Sequence, residues 1–364
     1  MHTQWLTLAV LSLMACAPTQ ADPPNAQLKL EAKLAAPFSQ LGPVVELPGG
    51  RVAFVETRQK LFLIGDFTTG EVDTVGVRVD TVGRNGTETG EYKFPGYLVH
   101  LAGDTLALVD YAAERTTLWN EKGEFLKVLH IVPVPGATPI LNFDHQGHGY
   151  RPDYRPILGS QEPGMPVLTD SFPLLRVSFD TQKIDTIAQL KSPRYGDARF
   201  GEQVQRVAMI FSANDLFGAL PDGSVWIARG HENRVDWRAP DGTWRIGKPR
   251  PYARIPVTQA DKDRFMQRMR ERGLPTQVEV VFPFAEYKPP FEGGLTRPSG
   301  EVWLQRPRAS ETEAITYDVW GRDGGWKRAV TFPVGASLAG FGANGAIYGV
   351  VKDGETRRVA RFRE

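Results

Sequence analysis

GALPDGSVWIARGHENRVDWRAPDGTWRIG, residues 218–247, sets runs of β-branched and aromatic residues between Asp-Gly pairs. A turn at Pro221-Asp222-Gly223 leads into an alternating run with Val225 and Ile227. A polar break follows, then a second run with Val235 and Trp237 that ends at Asp241-Gly242. Asp-Gly favours a tight hairpin because the turn needs residues that tolerate positive φ, and alternation favours strands. Strand, loop, strand, hairpin, strand is one blade of a β-propeller.

The unit recurs at roughly 40 to 50 residues, within the range of propeller repeats. A first blade is expected over 41–76 and a second, the cleanest in the chain, up to 131, with the run Thr105-Leu106-Ala107-Leu108-Val109-Asp110. The third, 137–190, is the least regular and carries a proline-rich insertion at 151–166. The quoted unit is the fourth, 287–333 the fifth and 336–363 the sixth. The sixth stops one strand short, and a surplus strand at 27–34 is placed to complete it. Closing the ring in this way removes an exposed sheet edge. The predicted fold is all-β: a six-bladed β-propeller of four-stranded antiparallel blades, closed by an N-terminal strand, with one inserted amphipathic helix. It forms a single domain over 26–364.

Gly90-Glu91-Tyr92, at the end of VGRNGTETGEYKF (82–94), resembles the segment that precedes a blade in bacterial six-bladed propellers of the NHL-like sort. The glycines at 83, 86 and 90 fit neither dinucleotide nor P-loop spacing, and no helix pattern follows them. The stretch from His231-Glu232-Asn233-Arg234-Val235-Asp236-Trp237 through Tyr287-Lys288-Pro289-Pro290-Phe291 to Phe341-Gly342 resembles uncharacterised NHL-like or TolB-like propeller lipoproteins of environmental bacteria. The resemblance implies the fold and almost nothing about function.

A hydrophobic content of 41 % with 23 % charged residues is globular composition, and the chain is long enough to bury a sizeable core. A formal charge of +1 gives no global field toward nucleic acid or membrane, so no nucleic-acid partner is expected. Cys16 is the one cysteine, which excludes disulfides and thiolate zinc sites within the chain. Before it, WLTLAVLSLMA (5–15) has signal-peptide length and is too short to span a bilayer. Leu13-Met14-Ala15-Cys16 resembles a bacterial lipobox, which implies lipidation at Cys16. Residues 1–25 then read as signal and tether, and the protein as a monomeric envelope lipoprotein of the periplasm or outer membrane. Cleavage at Thr19-Gln20-Ala21 would instead release a secreted form.

TQADKDRFMQRMRERG (258–273) reads as the one helix, with a capping-box start at Thr258 and Asp261 and a stop at Gly273 and Pro275. Phe265, Met266 and Met269 share one face, expected to pack on the propeller. From Arg245 to Arg272 nine bases stand against three acids, so Arg264, Arg268 and Arg272 mark a basic helix. It reads either as a lid that attracts an anion, lipid headgroup or partner protein, or as a solvated face.

Aligning the repeats selects one residue per blade at the end of the channel-side pair of strands: Glu56, Asp110, Arg151, Arg229, Arg306 and Lys352. This set is acidic over two blades and basic over four. It suits an anionic or zwitterionic ligand, and salt bridges between blades would produce the same split. Asp144-His145-Gln146-Gly147-His148 reads as a β-turn rather than a metal site, since two histidines and one carboxylate lack a fourth ligand. His231 beside Glu232 reads as loop surface, or as a general base with its orienting carboxylate. No nucleophile elbow and no His-Glu-x-x-His motif occurs. The expectation is a binding module for a ligand or envelope protein, without cofactor or catalytic motif. The alternative is a propeller enzyme, a metal-dependent lactonase-like hydrolase or a lyase, with its site at the channel mouth.

Overall fold

The two Asp-Gly turns of the quoted stretch form by one mechanism. Gly223 and Gly242 take φ of 82° and 94°, which only glycine adopts without strain. The preceding carboxylates close the turns, Asp222 Oδ1 accepting from Ser224 N at 3.0 Å and Asp241 Oδ1 from Thr243 N at 2.8 Å. The strands Leu216–Ala219, Val225–Arg229, Arg234–Arg238 and Trp244–Arg245 thereby pair in order as one antiparallel sheet. Val225, Trp226, Ile227 and Ala228 are all buried, so both faces of the second strand are covered.

The computed structural model describes residues 25–79, 90–129, 139, 140, 142–154, 169–274 and 279–364. The expected signal segment and Cys16, Gly83, Gly86 and most of the proline-rich insertion lie outside them. Among the described residues the quoted stretch with its preceding strand is sheet 4 of the six that build the ring. Sheet 1 holds Leu41–Leu47, Arg51–Glu56, Leu61–Asp66 and Val72–Val75. Sheet 2 holds Pro95–His100, Thr105–Asp110, Arg115–Asn120 and Phe125–Leu129. Sheet 3 holds Asn142–Phe143, His148–Pro152, Ser171–Ser178 and Ile184–Lys191. Sheet 5 holds Gly293–Thr296, Val302–Gln305, Thr316–Trp320 and Trp326–Thr331, and sheet 6 holds Ala336–Phe341, Ile347–Asp353 and Thr356–Arg363.

Each sheet shares an apolar cluster with the next. Val55 and Phe62 meet Leu106 and Trp119 between sheets 1 and 2; Val109 and Leu118 meet Phe143 and Val177 between 2 and 3. Tyr150 and Leu174 meet Ile227, Trp226 and Trp237 meet Leu304 and Trp320, and Trp303 and Val319 meet Ile347 and Phe362. Val359 and Tyr348 then meet Phe54 and Leu63, returning to sheet 1. The chain is a β-propeller, its sheets packed face to face around a ring.

The surplus strand closes that ring. Lys29–Lys33 pairs antiparallel with Thr356–Arg363, the last strand of sheet 6. Just before it, Ala26–Gln27 pairs parallel with Trp326–Thr331, adding a fifth strand to sheet 5. Leu28 and Leu34, at the two ends of the closing strand, bury themselves in successive clusters.

Because strands alternate in direction, first-to-second and third-to-fourth connections lie on one face, and second-to-third connections and links between sheets on the other. On the first face every connection is a turn of three to five residues. Among the described residues the longer insertions fall on the opposite face. Between sheets 3 and 4 the chain makes a hairpin, Tyr195–Phe200 with Gln203–Ala208, joined by Val280–Val281 into a small separate sheet. Between sheets 4 and 5 lies helix α1, Gln259–Glu271.

Candidate ligand site

The insertion face is held down by carboxylates. The six residues selected from the repeats stand within one position of the end of the second strand in their sheets. Asp110 is buried and accepts four main-chain N–H groups, from Lys93 at 2.7 Å to Oδ2 and from Phe94, Ala112 and Ala113 at 3.0–3.1 Å to Oδ1. Glu56, also buried, accepts from Gln40 N at 2.8 Å and from Gln59 N. Arg229 donates to Asp215 at 2.7 Å, Asp236 at 2.9 Å and the Gln189 carbonyl at 2.9 Å. Arg306 makes a two-pronged pair with Asp318 at 2.7 and 2.9 Å. Arg151 is buried on sheet 3, while Lys352 is exposed on sheet 6. The charges of this set therefore engage backbone groups at Glu56 and Asp110 and neighbouring carboxylates at Arg229 and Arg306.

Helix α1 begins as its sequence predicts: Thr258 Oγ1 accepts from Asp261 N, and the Asp261 carboxylate accepts from Thr258 N, a reciprocal capping box. Gly273, with φ of 98°, follows the helix's last turn. Its packing differs from the expectation of an apolar face laid on the propeller. Phe265 packs edge-on against Phe282 and Phe284, at 5.2 and 5.6 Å, and Phe200 and Phe211 extend this stack within the insertions. The buried residue of the helix is Asp261.

Asp261 is the anchor. Its Oδ1 takes Lys288 Nζ at 2.8 Å and Arg264 Nη2 at 2.5 Å, and Lys288, itself buried, also donates to the Arg308 carbonyl at 2.7 Å. Burial works to raise the Asp261 carboxyl, but Lys288 and Thr258 outweigh it and hold it at about 2. Arg264 and Arg268 further approach Glu311 at 3.5 and 3.7 Å, so much of the basic helix is neutralised, while Arg272 is exposed.

Two cavities flank Lys288. One of about 210 Å³ is lined by Arg194, His231, Tyr252, Arg254, Glu286 and Tyr287 among others. Arg254 sits 5.6 Å over the Tyr287 ring. Glu286 beside Tyr287 pushes that phenol up. Neither Arg194 nor Arg254 has a carboxylate partner among the described residues, and both are exposed. The second cavity, about 170 Å³, lies between α1, Glu292 and the loop after the second strand of sheet 5.

The histidine pairs read from sequence divide. His231 Nε2 lies 3.2 Å from the Ser192 carbonyl, while Glu232 approaches Lys191 at 3.9 Å, so the neighbours serve different partners. Asp144 is the hub of the turn at 144–148, engaging Gln146 N, His148 N, His148 Nδ1 and Tyr150 OH at 2.8–2.9 Å. His145 faces His100 instead, ring to ring at 6.2 Å. Among the described residues no three His, Cys, Asp or Glu side chains gather where they could hold a metal ion.

No protein-family model and no curated protein sequence matches the chain. It is similar in structure to a member of the DUF4221 family from Bacteroides vulgatus, with a TM-score of 0.50 and 10% identity over 92% of this chain and 97% of that one. It is also similar to the calcium-binding protein regucalcin of Agrobacterium tumefaciens (TM-score 0.44, 10% identity, 93% and 97% covered) and to virginiamycin B lyase of Staphylococcus aureus (0.43, 9%, 93% and 99%). At such identities the likeness concerns the fold.

Proposed function

We propose that the chain is a propeller-borne binding module that takes a small anion in the cavity of Arg194, His231, Arg254 and the two tyrosines. The observation that carries this reading is the pair Arg194 and Arg254, accessible guanidiniums in one concave site: neither pairs with a carboxylate among the described residues, and Glu286, the carboxylate in the lining, acts on Tyr287 instead. Guanidinium forks match carboxylate, phosphate and sulfate, and the Tyr252 and Tyr287 rings offer apolar walls to the rest of a ligand. The test is calorimetric titration with sulfate, phosphate and citrate. At least one should bind, and Arg194→Gln with Arg254→Gln should weaken it about a hundredfold, the loss of two charge-assisted contacts. Equal affinity in the double variant, or no binding of any anion, overturns the reading.

The module is proposed to work in the cell envelope, exported and lipidated at Cys16. Mass spectrometry of the mature N-terminal peptide should find a diacylglyceryl-modified Cys16. An unmodified N-terminus beyond residue 16 would instead mark a secreted form.

A further inference from the structure

The second cavity carries a different chemistry. Most of its charges are already matched: Asp261 holds Lys288 and Arg264, and Arg264 and Arg268 share Glu311. Two groups remain. Glu292 stands just before the innermost strand of sheet 5, accessible from the cavity. Its Oε2 accepts from Gln305 Nε2 at 3.1 Å, and the Gln305 amide is turned that way because its oxygen accepts from Tyr317 OH at 3.4 Å. Glu292 Oε1 has no hydrogen bond among the described residues. Arg308 spends Nη1 on the carbonyls of Glu311 and Glu313, at 2.8 and 3.1 Å. Its Nε–Nη2 edge, the side-on fork that fits a carboxylate, is uncommitted among the described residues.

We propose that this cavity binds a small molecule carrying a primary ammonium and a carboxylate on one carbon, Glu292 taking the ammonium and Arg308 the carboxylate. The space, about 170 Å³, is that of about five or six water molecules. That suits a compact zwitterion rather than a chain. The environment of Glu292 agrees: burial among the cavity walls pushes its carboxyl up, despite Lys288, Gln305 and Arg308. A ligand ammonium would supply countercharge to its open oxygen. An anion alone would leave Glu292 facing a like charge. The site goes beyond the anion cavity and depends on other side chains.

Three probes separate its elements: L-alanine, propionate, which lacks the ammonium, and ethylamine, which lacks the carboxylate. Calorimetry on the mature chain should show alanine binding about tenfold or more tighter than either fragment. Glu292→Gln should remove that advantage while anion binding at Arg194 and Arg254 stays unchanged. Arg308→Lys, which keeps the charge and loses the fork, should also weaken alanine. Alanine binding no tighter than propionate overturns the proposal. So does alanine binding unaffected by Glu292→Gln, or no binding at about 10 mM, enough to saturate a site with a Kd of about 1 mM.

Discussion

Asp110→Ala should destabilise the propeller by about 3–5 kcal/mol, read as a lower denaturant midpoint. The carboxylate satisfies four main-chain N–H groups in two loops of the insertion face, and alanine leaves all four without their acceptor. Asp110→Asn tests where the cost lies. Three of the four bonds converge on Oδ1, so an amide whose oxygen takes that place keeps them and turns an NH2 group toward the Lys93 N–H. Its cost should be about 1–3 kcal/mol. If asparagine is as damaging as alanine, Oδ1 is not the hub.

Lys288→Met should cost a comparable 3–5 kcal/mol, roughly the penalty of stranding one partner of a buried ion pair. Asp261 would keep Arg264 and its cap bonds but lose the ammonium that ties the insertion to the Arg308 carbonyl. The same pair has a pH signature. The Asp261 carboxyl is held at about 2, below its ordinary value, so its contribution is complete above the ordinary carboxylate range near 4. It is lost as pH falls from there toward 2, and amounts to about 2 kcal/mol. Stability measured across that window should fall more steeply with falling pH for the parent chain than for Asp261→Asn. Parallel curves would mean that other carboxylates set the acid limb.

The repeat was legible because its signal is local. An Asp-Gly pair needs positive φ whatever surrounds it, and Thr258 with Asp261 and Gly273 bounds a helix by the same logic. The closing strand was legible from arithmetic alone, a strand in surplus at one end and missing at the other. The hairpin of Tyr195–Phe200 and Gln203–Ala208 was not, since it belongs to no repeat and leans on phenylalanines supplied from residues 265, 282 and 284. The candidate sites were hidden for a related reason. Arg194, His231, Arg254 and Tyr287 come from separate segments, and no spacing announces that they share a cavity. The repeat alignment found six equivalent positions but not their partners: the Asp215 and Asp236 that engage Arg229, and the Asp318 that engages Arg306, lie on other strands or loops.

The pairing of Lys29–Lys33 with Thr356–Arg363 also sets a schedule. A ribosome adding roughly 5 to 20 residues per second delivers the second partner about 15 to 70 seconds after the first. Throughout that interval Leu28 and Leu34 lack the last strand's side of their clusters, and the ring cannot shut. The chain's own first strand thus acts as a clasp that fastens only when the final residues have been made.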